Sequence, residues 1–200
     1  IASAGTTNIT GTVTNTSGKT INQNLIGISG DLTTSAEKLT STTGISNTGS
    51  LRLSGGTLSS DVTVTGGTTY IQGNVTVNSE ISNNTVNLTS GKLTLNSGNF
   101  NNITGLVGDG GAFNTQNGSA TAISLGAVTL NSDVDLTIDA DLGASTPVSD
   151  SFTATSITPN GHKFIISSII VLSDSDTKIT QTQVADGNLK AYFALDSANF

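Results

Sequence analysis

Hydrophobic residues along this chain come in short doublets split by one polar residue. Leu51-Arg52-Leu53, Val62-Thr63-Val64, Val75-Thr76-Val77, Val86-Asn87-Leu88 and Leu93-Thr94-Leu95 all read apolar, polar, apolar. Alternation at period two places Val62 and Val64 on one face of a strand and Thr63 and Thr65 on the other. The first four doublets open at Leu51, Val62, Val75 and Val86, a nearly even spacing. Single apolar residues (Ile45, Leu58, Ile71, Ile81) precede several of them, and Gly, Asn and Ser fill the gaps, as at Gly55-Gly56, Gly66-Gly67 and Asn83-Asn84. The pattern predicts a repeated unit of short strand, turn and short strand.

One such unit buries too little apolar surface to stand alone, whereas stacked units bury a continuous column. The expected fold is therefore all-β, a parallel β-helix or β-solenoid. Inward Val, Leu and Ile fill its column, and Gly and Asn turn its corners. The doublet spacing fits either a small whole turn or half of a turn of about 20–25 residues, and its drift favours the second. At about 22 residues per turn the chain makes about nine rungs, a rod about 43 Å long. An antiparallel sandwich also spaces strands this closely, but its core ordinarily carries more aromatics than the 4% present here. The pattern is weak over residues 1–44 and clear over 45–142. Segment 34–44 reads as a loop over the solenoid or a single helical turn, and 105–122 as a Gly/Asn-rich excursion between rungs.

The chain changes character near residue 127. Val128, Leu130, Val134, Leu136, Ile138 and Leu142 share one parity, and Asp133, Asp135, Asp139 and Asp141 share the other. The acids are thus expected to project outward into solvent. Residues 1–132 carry a net charge of −1 and 133–200 carry −6. Phe164-Ile165-Ile166 and Ile169 to Leu172 suit strands buried on both faces or heavier rungs of a continuing solenoid. The expected division is solenoid over 1–147, with 148–200 as further rungs or a C-terminal cap of the same domain.

Composition narrows the function classes. Thr, Ser, Asn and Gly make up just over half of the chain, and the net charge is −7 with only seven basic residues. That balance argues against nucleic acid or an anionic membrane as partner. The absence of cysteine removes disulfides, zinc-thiolate sites and thiol nucleophiles. The longest apolar stretch, Phe164 to Leu172, includes two serines and is far too short to span a bilayer as a helix. The opening IASAGTTNIT lacks an initiator Met and reads as a processed product or an internal segment.

Catalytic chemistry finds little foothold. The single histidine, His162, lies in the turn signature PNGHK, and no GxSxG, P-loop or HExxH motif occurs. The sequence therefore predicts no catalytic residue and no bound organic cofactor. Asp133, Asp135, Asp139 and Asp141 form the one carboxylate cluster, and an oxygen-rich acidic strand of this kind suits weak Ca²⁺ (calcium) binding. Alternate positions on a strand also approach the carboxylate spacing of a glycosidase, though no basic or aromatic residue accompanies them. Outward Thr63/Thr65, Thr76/Asn78, Asn87/Thr89 and Thr94/Asn96 predict a ladder of hydroxyls and amides, a surface of the kind that meets ice or carbohydrate. Seven Asn-x-Ser/Thr sites are expected by chance at this composition.

Tracts such as SGGTLSSDVTVTGG, GNVTVNSEISNNTVNLTSGKLTLNSG and AVTLNSDVDLTIDADL resemble the repetitive passenger regions of large bacterial autotransporters and related surface adhesins. The likeness is clear over about residues 45–142 and looser beyond. It implies a right-handed parallel β-helix at the cell surface or outside the cell, non-catalytic, with adhesion or self-association as its role. The implied partners are a host or neighbouring-cell surface, a glycan or a second copy of the chain.

Overall fold

The computed structural model describes residues 5–16, 18–59, 61–96, 99–141 and 148–171. They form a parallel β-solenoid of about seven turns with three faces. The first face stacks Thr6–Ile9, Ile21–Ile28, Leu39–Asn47, Val64–Thr65, Glu80–Ser82 and Asn99–Asn101. The second stacks eight strands, from Thr12–Thr14 through Ser50–Leu53, Thr68–Ile71 and Thr85–Leu88 to Ser156–Thr158. The third runs Gly56–Leu58, Val75–Val77, Lys92–Leu95, Ala112–Asn114, Val134–Asp141 and Phe164–Val171. Beyond Asn99–Asn101 a separate parallel pair, Ala122–Ser124 with Ser151–Thr153, continues the stack. Among the described residues pairing is parallel except at Val148–Ser149, which runs antiparallel to the end of Val134–Asp141. The antiparallel sandwich is thereby excluded. Of the expected C-terminal rungs or cap, the part beyond residue 171 lies outside the described residues.

Register gives the length of each coil. On the second face Thr12, Asp31, Ser50, Thr68, Thr85, Gly105, Ala127 and Ser156 stand in one column, each paired with the next. A coil is thus three strands, and most coils are shorter than the expected length of about 22 residues. Seven steps of about 4.8 Å make the described stack about 34 Å tall from Thr12 to Ser156. The near-even spacing of the doublets jumps between faces: Leu51/Leu53 and Val86/Leu88 belong to the second, Val75/Val77 to the third and Val64 to the first.

The inward parity stands. Val62, Val64, Val75, Val77, Val86, Leu88, Leu93 and Leu95 are all 2% exposed or less. Thr63, Thr76 and Thr94 point outward but are half-buried rather than exposed, because parallel neighbours above and below shade each outward side chain. In the upper coils the column thickens with aromatics: Phe100 stacks on Phe113 at 5.5 Å, and Phe113 meets Phe152 at 6.0 Å.

Segment 34–44 follows its single-turn alternative, whereas 105–122 and 164–171 differ from expectation. Segment 34–44 holds a single 3₁₀ turn, Ala36–Lys38, and then enters the long strand Leu39–Asn47. Within 105–122, Gly105–Gly108 and Ala112–Asn114 are regular strands, so only the stretch after Asn114 leaves the coil. The glycines that suggest a loop there have another use. Gly108 is an inward residue whose Cβ would meet Val134 Cγ2 at 2.4 Å. Nor is the strand Phe164–Val171 buried on both faces, since Ile165 and Ile169 are 37% and 38% exposed. No helix among the described residues is long and apolar enough to cross a membrane.

Candidate functional site

Outward side chains of the second and third faces form columns that climb the stack. On the third face Thr57, Thr76, Thr94, Asn114 and Thr137 stand in register. Beside them Asn96 Nδ2 donates to Asn78 Oδ1 at 3.0 Å. On the second face Arg52 lies 3.8 Å from Asp31 Oδ1 and 4.0 Å above the centre of the Tyr70 ring. Asn87 follows Tyr70 in register. Its Nδ2 donates to Asp109 Oδ2 at 2.7 Å, and Asn131 Nδ2 donates to Asp109 Oδ1 at 2.7 Å. Asn160 Nδ2 then donates to Asn131 Oδ1 at 3.1 Å. Each link spans one coil, so the column ties four successive coils on their outer surface. The four expected pairs do not make one ladder: Thr76/Asn78 and Thr94/Asn96 stack on the third face, whereas Asn87 lies on the second and Thr65 on the first.

The acidic strand is more divided than its parity suggests. Asp133 is exposed; its Oδ1 accepts from Lys163 N at 3.0 Å and lies 3.4 Å from His162 Nδ1. His162 belongs to the predicted turn, closed by its own N–H donating to Pro159 O at 2.7 Å, with Asn160 and Gly161 at positive φ. Asp135 is exposed beside Ala112 and Ile165. Asp139, expected in solvent, is fully buried. Its side chain follows the outward parity, but the excursion after Asn114 folds over it: the amides of Asn117 and Gly118 both donate to Asp139 Oδ2 at 2.8 Å. Asp141 ends the strand with its side chain outside the described residues, and Leu142 also lies outside them. Asp133 and Asp139 stand six positions apart along extended chain, about 20 Å at ~3.3 Å per residue. Asp133 and Asp139 therefore do not converge on one ion. Among the described residues no three acidic or histidine side chains cluster as metal ligands.

Asp150, which the sequence did not single out, joins Asp139 instead. Its Oδ2 accepts from Thr115 Oγ1 at 2.6 Å and from Asp139 N at 2.8 Å, and its Oδ1 from Thr121 N at 2.7 Å. It is only 6% exposed. Burial pushes its carboxyl above the usual aspartate range, and the charge of Asp139 adds to that, against the three hydrogen bonds it accepts. The return of Asp150 to Asp139 left no signal in the sequence, since the returning arm Val148–Ser149 has no apolar alternation of its own.

Comparison with protein-family models, with curated proteins and with solved structures finds no match, so function is read from this chain's own residues.

Proposed function

We propose that this chain is a structural and adhesive β-solenoid segment of a bacterial surface or secreted protein, in the manner of an autotransporter passenger region, and that it mediates adhesion or self-association without catalysis. The observation that carries the reading is the register of outward polar side chains on the third face, one per coil from Thr57 to Thr137, beside the hydrogen-bonded Asn87–Asp109–Asn131–Asn160 column of the second. Repetition of that kind presents the same hydrogen-bonding groups about every 4.8 Å to an extended or repetitive partner. A second reading, a carbohydrate-binding solenoid, is favoured by Tyr70 beside Asn87 and the Asp109 ladder, which pair an aromatic ring with amide and carboxylate groups.

The test pairs binding with turnover. The purified chain is incubated with cell surfaces, with insoluble polysaccharides and with itself, and its own association is followed by sedimentation. Retention or self-association that weakens in a Tyr70→Ala/Asn87→Ala variant, with no sugar released, is the expected result. Release of oligosaccharides, or no association with any surface, overturns the reading.

A further inference from the structure

The excursion after Asn114 is clasped by carboxyl groups rather than by apolar contact. Five donors converge on Asp139 and Asp150: the amides of Asn117 and Gly118, the Thr115 hydroxyl, and the amides of Asp139 and Thr121. One oxygen, Asp139 Oδ1, is buried with no partner. Two buried carboxylates side by side are costly without compensating charge. Among the described residues the ion pairs seen, Arg52 with Asp31 and His162 with Asp133, bring no cation against this pair. Donor hydrogens already occupy three of its four oxygens, which leaves a metal ion poorly served and a proton well served.

Among the described residues the surroundings, the paired strand Phe164–Val171 included, add no other titratable group. Residues 115–121, the strands Ala112–Asn114, Ala122–Ser124 and Ser151–Thr153, and Val148–Ser149 contribute none by sequence. On the strand Val134–Asp141, Asp135 is exposed four positions before Asp139, and the side chain of Asp141 lies outside the described residues.

We propose that the folded Asp139/Asp150 pair holds a single proton, and that its loss unlatches residues 115–121 from the third face. The proton belongs on Asp150 Oδ2. Thr115 Oγ1 has one hydrogen but two acceptors in reach, Asp150 Oδ2 at 2.6 Å and Thr137 O at 3.1 Å. A protonated Asp150 donates to Thr115, which donates in turn to Thr137 O, and the competition disappears. Asp139 Oδ2 meanwhile accepts from the amides of Asn117 and Gly118. Folding raises the Asp150 pKa, so the stabilisation is complete below the unfolded aspartate value and is lost as pH rises through the folded one. The clasp is closed in mild acid and loosens above.

Side-chain carboxyl NMR and amide hydrogen exchange on the intact chain, from about pH 4 to about pH 8, test this. The expected result is an Asp150 midpoint above the ordinary aspartate range. Protection of the Asn117, Gly118 and Thr121 amides, corrected for intrinsic exchange, should fall severalfold through the same midpoint. The amides of Val86 and Leu93 should not follow. Asp139→Asn should lower the Asp150 midpoint, and Asp150→Asn should abolish the step in protection. An Asp150 midpoint at or below the ordinary value, or protection flat across it, overturns the proposal. The wild-type titration decides the matter should either variant fail to fold.

Discussion

Thr69 stands in an inward column between Leu51 and Val86, fully buried, with its hydroxyl lacking a partner. A buried hydroxyl without a hydrogen bond loses its hydration for nothing in return. Thr69→Val keeps the shape and removes that loss, and should raise the unfolding free energy by about 1–2 kcal/mol in urea. Val77, also inward and fully buried, makes the opposite case. Val77→Asp should cost several kcal/mol, because the new charge has no counter-ion in the column. Thr76→Asp, one position away and half-buried in the outer ladder, should cost about 1 kcal/mol or less in the same assay. Equal damage from both would reverse the assigned parity. The alternation that separates these neighbours was fully legible in the sequence, because it is a local property of the strand. Thr69 was not, since its polar side chain breaks the apolar doublet. Parity places Asp139 on the correct side of its strand, but its cover comes from residues 115–121 in the preceding coil, and local alternation carries no trace of that contact.

The corners show what each coil demands of the one beneath. Gly49 follows the first-face strand, and a Cβ there would lie 2.1 Å from Gly30 O; at Gly30 it would lie 2.3 Å from Gly11 O. At Gly11, the foot of that column, a Cβ meets nothing within 4 Å. These clashes are with backbone, which cannot swing aside. Gly49→Ala should therefore destabilise by about 1–3 kcal/mol, the usual cost of overpacking. Gly11→Ala should be neutral or stabilising by up to about 1 kcal/mol through the unfolded chain. Thermal melts of the two variants separate these outcomes, and equal losses would mean that corner glycines serve conformation alone. The sequence marked the corners through its glycines and asparagines. It did not show that there are three per coil, because strands with few inward aliphatics, such as Thr68–Ile71 and Glu80–Ser82, do not stand out as doublets.

At the scale of the molecule, the three faces carry one cross-section through coils of unequal length. The register step from Ala127 to Ser156 is the longest on the second face, and that from Thr68 to Thr85 the shortest. The surplus of the long step includes the hairpin around Val148–Ser149, and the second-face strands still meet in register. The interior explains this tolerance: one buried column runs from Ile9 to Ile138, and added residues that stay outside it disturb no packing.

The same axial stacking sets how the molecule bears load. Hydrogen bonds between coils point along the solenoid axis, so tension applied through its two ends pulls each bond lengthwise and peels coils away in succession. A coil of 17–29 residues, stretched to about 3.3–3.6 Å per residue, releases about 50–100 Å of slack once its stacked height is subtracted. Optical-trap extension should accordingly yield a staircase of small steps. The chain would behave as a spooled tether that unreels under strain instead of parting at a single rupture force.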